Sequence, residues 1–260
     1  MRETAITFRN RNDSFKGRLV SPTKRTECVV IVAPGFAVDV NYLHGEGKLL
    51  NDLSKMLAER GIATLLFNYR FVTPDLKKFR KASMSSEISD LKVTIKEMRK
   101  RFRNVGLLGA SVGGLVAASA YSHDIDCMAF WYVPTATKMS TPSRRDRYKK
   151  HREGYRGYTR LKNINYIIGR QFAYERNTFR ASPVFRRLDC PVLVVQGDAD
   201  KRASLRDANK ILGFVKGEKL LHVIHGGDHG FKTQDGKSIV KSHAKQALRA
   251  TARWFETSFG

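Results

Sequence analysis

Six short, largely apolar runs constrain this chain most: "CVVIVAP" from Cys28, which is continuous, "IATLLFNY" from Ile62, "VGLLG" from Val105, "CMAFWYV" from Cys127, "PVLVVQG" from Pro191 and "KLLHVI" from Lys219. A strand wetted on one side alternates apolar and polar residues. An unbroken run suits a strand buried on both faces, as parallel sheets require. Segments of helical period lie between the runs. "GKLLNDLSKMLAER" places Leu49, Leu50, Leu53, Met56 and Leu57 on one side and is ended by Gly61. "SSEISDLKVTIKEMRKRF" does the same with Ile88, Leu91, Ile95 and Met98 behind a Ser85 or Ser86 cap. "SVGGLVAASAYS", "SLRDANKILGFV" and "KSIVKSHAKQALRATARWFETSF" supply three more helices. At the N-terminus "TAITFR" and "FKGRLV" alternate around "NRNDS", predicting a hairpin. The expected class is α/β: a mostly parallel eight-stranded sheet with helices on both faces.

The 260 residues contain 42% hydrophobic side chains, enough for one large core. No apolar stretch approaches the 18 or so residues of a membrane span. The first residues lack the apolar centre of a secretion signal, so a cytoplasmic location is expected. Cys28, Cys127 and Cys190 have neither metal nor redox spacing, and each adjoins an apolar run; three buried thiols are expected. Nothing in these patterns requires a metal or an organic cofactor.

The stretch "GLLGASVGGL", residues 106–115, raises a chemical question. G-x-S-x-G at the end of a buried strand suits a nucleophile elbow, in which a sharp turn presents Ser111 and glycines relieve the crowding. The bland alternative is a serine capping the next helix. A serine hydroxyl attacks only with help from a base, itself held by an acid. Candidates follow two later strands: Asp198 and Asp200 after "PVLVVQG", then His225 and His229 after "KLLHVI", with Asp228 beside the latter. The order Ser, Asp, His, each at the carboxyl end of a strand, is where open α/β sheets place their sites.

With "PGF", "GASVG", "GDAD" and "GGDHGF" in that order, the chain resembles the α/β-hydrolase fold family. It is most similar there to serine esterases of the cinnamoyl and feruloyl esterase type and to dienelactone-hydrolase-like proteins. The resemblance runs from "VIVAPGF" to the closing helix. It implies a hydrolase of carboxylic esters working through an acyl-enzyme on Ser111, with Asp200 as orienting acid and His229 as base. An acyl-enzyme also needs two N–H donors for its oxyanion. The elbow points to Val112 N–H, and "APGF" to Phe36 N–H. Two departures stand out. Pro34 takes the place of the usual His before Gly35, and "FNYRFVTPD" replaces a glycine-rich turn after the fourth strand.

Residues 135–181 fall where this family inserts a cap, leaving 1–134 and 182–260 as the core. Tyr148, Tyr155, Tyr158, Tyr166, Phe172 and Tyr174 either line a pocket there or pack the cap onto the core. The chain's net charge is +24, and half of that surplus lies between Lys138 and Arg187, where 15 Lys or Arg face three acids. Such a stretch is a solvated surface, a guide for anionic substrates, or a polyanion-binding face. The expected partner is a small-molecule ester, anionic or aromatic. An acyl-thioesterase or acyl-peptidase would use the same residues. A catalytically silent fold that binds nucleic acid or an anionic surface is the alternative from another class.

Overall fold

The computed structural model describes residues 1–41, 45–73, 75–135, 148–151, 154–159, 164–231 and 241–260. The apolar runs become strands. β1 (Arg2–Asn10) and β2 (Asp13–Ser21) form the hairpin, followed by β3 (Cys28–Ala33), β4 (Ala63–Phe67), β5 (Asn104–Ala110) and β6 (Cys127–Trp131). Next come β7 (Tyr148–His151), β8 (Gly154–Thr159) and β9 (Ile164–Gly169), then β10 (Val192–Gly197) and β11 (Lys219–Ile224). The main sheet has eight strands in the order β1-β2-β4-β3-β5-β6-β10-β11. Only β1 and β2 run antiparallel to their neighbours; the pairs from β4 to β11 are parallel. The hairpin is tighter than "NRNDS" suggests. Asn10 pairs with Asp13 across a two-residue turn with Arg11 at φ 56°.

The runs from β3 to β10 are buried on both faces, whereas β11, at the sheet's edge, exposes Lys219 and Leu220; along the buried strands alternate residues serve two separate cores. Val29, Ile31, Val105, Leu107, Val192 and Val194 face one. Val30, Val32, Leu108, Leu193 and Val195 face the other. Helices α1 (Gly45–Glu59) and α8 (Lys241–Phe259) cover the second face with Leu49, Leu53, Leu57, Leu248 and Phe255. Trp131 Nε1 donates to Thr251 Oγ1 at 2.8 Å, tying α8 to β6. Helices α3 (Met84–Arg99), α4 (Val112–Ala120) and α7 (Leu205–Phe214) cover the first face through Leu91, Ile95, Leu115 and Ile211. Each such buried aliphatic side chain stabilises the fold by roughly 1.5–3 kcal/mol.

The α3 cap is Ser83, not Ser85 or Ser86. Its hydroxyl accepts from Ser86 N–H while the Ser86 hydroxyl accepts from Ser83 N–H, a reciprocal capping box. Cys127 and Cys190 are buried free thiols, and Cys28 is half-buried. Among the described residues no helix is long and apolar enough to cross a membrane.

Between β6 and β10 the chain forms a second, antiparallel sheet, β7-β8-β9, followed by α5 (Arg170–Thr178) and α6 (Ala181–Phe185). β9 adjoins the short helix α2 (Leu76–Phe79). Gly169 at its end lies so close to the Arg80 carbonyl that a Cβ there would come within 2.1 Å of the oxygen.

Candidate active site

Ser111, directly after β5, stands at φ 52° and ψ −124°, a conformation costing a non-glycine residue about 1–3 kcal/mol. Its neighbours leave no room to relax. Its N–H donates to the Trp131 carbonyl at 2.8 Å, pinning the turn to β6. A Cβ on Gly113 would lie 2.2 Å from the Ala33 carbonyl oxygen, and one on Gly114 2.2 Å from Val133 Cγ2. Ser111 makes no side-chain capping bond to α4. A helix-capping role therefore does not describe it.

The hydroxyl is instead 3.2 Å from His229 Nε2. His229 Nδ1 lies 2.8 Å from Asp200 Oδ2, so a ring protonated at Nδ1 donates to the carboxylate and accepts from the serine. The Asp200 side chain is fully buried, and that of His229 is 18% exposed. Asp200 is aimed by its own turn: Oδ1 accepts from Arg202 N–H at 2.7 Å and Ala203 N–H at 3.0 Å. Gln196 helps, donating to the Ala203 carbonyl at 2.6 Å and to Asp200 Oδ2 at 3.4 Å.

The other candidates pair with each other. His225 Nδ1 meets Asp198 Oδ2 at 2.9 Å, and Asp198 Oδ1 also accepts from Gly226 N–H. The His225 side chain is 89% exposed. The histidine pair further holds the Asp198 carboxyl below its ordinary range, through the His225 bond first and Gly226 N–H second. Asp228 does not occupy the His229 Nδ1 position, which belongs to Asp200.

Phe36 and Val112 lie on two segments in contact. Val112 opens α4, where an N–H has no earlier intrahelical carbonyl. Phe36 lies in a turn closed by Val38 N–H to the Gly35 carbonyl at 3.2 Å, with Ala37 at φ 56°. This turn follows β3, whose last carbonyl faces Gly113. Further along, Val40 N–H donates to Asn68 Oδ1 at 2.9 Å and Asn51 Nδ2 to the Val40 carbonyl at 2.8 Å.

No family model matches the chain. A human serine hydrolase, BPHL, is 31% identical over 145 residues, 50% of this chain and 50% of that protein. The chain thus spans about half the length of the curated relative it matches. Est1E from Butyrivibrio proteoclasticus, in its structure with ferulic acid bound, matches with a TM-score of 0.76 at 14% identity. That match covers 98% of this chain and 99% of Est1E. A dienelactone hydrolase from Anabaena variabilis matches over 98% and 97%, with a TM-score of 0.69 and 16% identity. The chain has the α/β-hydrolase fold.

Within this α/β-hydrolase fold, two residues near the serine carry no local sequence signal. Tyr132, directly after β6, is fully buried at φ 41°, and its ring lies 4.9 Å from that of His229. Burial, then Glu46 and Asp200, push its hydroxyl far above the ordinary range, leaving a neutral donor. It donates to Glu46 Oε2 at 3.2 Å, and Glu46 Oε1 accepts from Gly35 N–H at 2.7 Å. Only a Tyr at a strand end and a Glu in a first helical turn were there to be read.

The insertion meets the site through Phe172 of α5, whose ring centroid is 4.8 Å from that of Phe36. Phe79 completes the cluster 6.0 Å from Phe36. Glu175 of α5 accepts from the Ser85 hydroxyl and N–H, binding the insertion to the start of α3. Of the six aromatics expected to face a pocket or the core, Phe172 is buried and Tyr174 is exposed. The side chains of Tyr148, Tyr155, Tyr158 and Tyr166 lie outside the described residues.

Proposed function

We propose that this chain is a serine hydrolase that cleaves carboxylic esters through an acyl-enzyme on Ser111. The observation that carries the reading is the hydrogen-bonded line from Ser111 Oγ through His229 to Asp200, 3.2 and 2.8 Å long. In this mechanism His229 Nε2 takes the serine proton as Oγ adds to the ester carbonyl. Asp200 keeps the other ring proton on Nδ1 and stabilises the imidazolium. Phe36 and Val112 N–H groups hold the oxyanion, each contributing about 3 kcal/mol to the transition state. The imidazolium returns its proton to the leaving alcohol, and water, deprotonated by the same ring, releases the acid.

The Phe36, Phe79 and Phe172 cluster beside the oxyanion turn favours a substrate with an aromatic or bulky apolar acyl group. The ferulic acid held by the Est1E structure is of that kind. Residues 135–181 act as the cap that encloses it.

The test is hydrolysis of p-nitrophenyl esters from acetate to decanoate, and of an aryl-acrylate ester, by wild type beside Ser111→Ala. The expected result is turnover that disappears in the variant. Ester turnover retained by Ser111→Ala would refute the mechanism. No turnover by wild type, thioesters included, together with salt-sensitive binding to nucleic acid or anionic vesicles would favour a silent polyanion-binding fold instead.

A further inference from the structure

Glu46 stands outside the line of Ser111, His229 and Asp200, yet its carboxylate joins both sides of the site. One oxygen takes the Gly35 N–H at 2.7 Å and the other the Tyr132 hydroxyl at 3.2 Å. Gly35 precedes Phe36 in the oxyanion turn, and the Tyr132 ring rests on the His229 ring. The contact is close: a Cβ on Gly35 would come within 3.0 Å of both carboxylate oxygens. We propose that Glu46 is a positioning residue for ester hydrolysis, a clamp that aims the Phe36 N–H and registers it against His229.

The turn needs such a clamp for three reasons. Pro34 has no N–H, so Gly35 is the first residue after β3 able to tie the turn down. Gly35 lacks a side chain, and its peptide rotates more readily than any other unless something holds it. Ala37 at φ 56° stores strain two residues later, which favours any rearrangement that would release it. A carboxylate is the acceptor suited to the task, because it takes two donors at once and makes shorter, stronger bonds than a neutral oxygen. An oxyanion donor must be held to within about 0.5 Å of its working position. Losing its aim costs a large part of what losing the donor costs, which is about 10²–10³ in kcat.

Tyr132 extends the clamp. Its ring packs on His229 and also on Phe231, 5.1 Å away, so the loop bearing the base and the loop bearing the oxyanion donor share one buried support. Through Glu46 a displacement of one loop is felt by the other. This inference rests on the hydrolase reading above, and its tests include one that needs no turnover.

The decisive comparison is Glu46→Gln against Glu46→Ala, with Tyr132→Phe as a milder third variant. A Gln keeps an oxygen for Gly35 N–H and turns its amide N–H to the Tyr132 hydroxyl, which can accept. Glu46→Gln is therefore expected within about fivefold of wild type, Glu46→Ala about 30–100-fold lower in kcat with KM within threefold, and Tyr132→Phe several-fold lower. Affinity for a boronic acid that adds to Ser111 as a tetrahedral species should fall with kcat. Amide exchange at Gly35 should quicken at least about tenfold in Glu46→Ala while β3 amides keep their protection. A kcat within threefold of wild type in Glu46→Ala would overturn the proposal, as would a loss confined to KM or an equal loss in the Gln variant. Unchanged Gly35 exchange would overturn it even in a chain with no esterase activity. Should Glu46→Ala fail to fold, Tyr132→Phe decides: unchanged kcat and boronate affinity would sink the clamp. If wild type itself hydrolyses no ester while Gly35 exchange responds as expected, the hydrolase reading fails and the clamp stands as a structural fact.

Discussion

Glu87 should make this protein less stable as pH rises, and replacing it with Gln should remove that loss. The side chain sits in α3, with the residue only 3% exposed. Burial, and secondarily the neighbouring Asp90 carboxyl, push it from an ordinary 4.5 to about 8, with Arg176 partly offsetting and Glu175 adding a little. Between those two values the folded chain holds a proton that the unfolded chain has released. Stability contributed by the protonated form is therefore present below pH 4.5 and lost as pH rises towards 8. At about 1.4 kcal/mol per tenfold change in proton affinity, the full loss is about 4–5 kcal/mol, a large part of a typical domain's stability.

Asp90 is also raised and acts in the same direction, whereas His222, lowered by burial, acts in the opposite one. The His222 contribution cancels in the difference between Glu87→Gln and wild type, whereas Asp90, which pushes Glu87 upward, is coupled to it and cancels only in part. Urea unfolding at pH 5, 7 and 9 measures that difference. The variant's advantage should grow by about 2–3 kcal/mol from pH 5 to 7 and by about 1 kcal/mol more by pH 9, then level off. A difference that stays flat from pH 5 to 9 would refute the reasoning, because Glu87 would then ionise as readily folded as unfolded.

Asp200→Asn should lower kcat by about 10³–10⁴ with the fold intact, while His225→Ala, altering an exposed ring paired with Asp198, should stay within twofold of wild type; steady-state ester kinetics separate the two. Two glycine replacements should move stability in opposite directions. Gly213, in the last turn of α7, has open space where a Cβ would go, so Gly213→Ala should stabilise by about 0.4–1 kcal/mol in urea unfolding. A methyl on Gly113 meets the backbone carbonyls of Ala33 and Pro34 at 2.2 and 2.4 Å, so Gly113→Ala should destabilise by about 3 kcal/mol and silence Ser111.

What was legible in the chain was what local pattern controls. A largely apolar run implies burial on both faces, and every strand read that way from β3 to β10 has that burial. β11 is the exception: it lies at the sheet's edge, and its first residues, Lys219 and Leu220, are exposed. The serine turn was legible because three glycines meet backbone or a β-branched side chain too closely for a Cβ. Local pattern alone left Asp198 and Asp200 open, and only the family resemblance chose Asp200. The choice rests on which carboxylate the turn after β10 folds inward, and the N–H groups of Arg202 and Ala203 decide that. The α3 cap was misread because Ser83, Ser85 and Ser86 crowd one start signal, and only geometry identifies the residue outside the helix. Glu46 and Tyr132 were invisible because they lie far apart in sequence and meet only where α1 and β6 converge.

The contacts of α5 also bear on how the chain comes to life during synthesis. Its partners Phe36 and Ser85 both precede it, so they have already been made when Phe172 and Glu175 emerge. Asp200 and His229 come later, on β10 and the loop after β11. On the proposed mechanism a growing chain can thus seat α5 against Phe36 and Ser85 while Ser111 still lacks its base. On that mechanism Ser111 stays chemically idle until the last two strands join the sheet, so an unfinished chain has a serine with nothing to activate it.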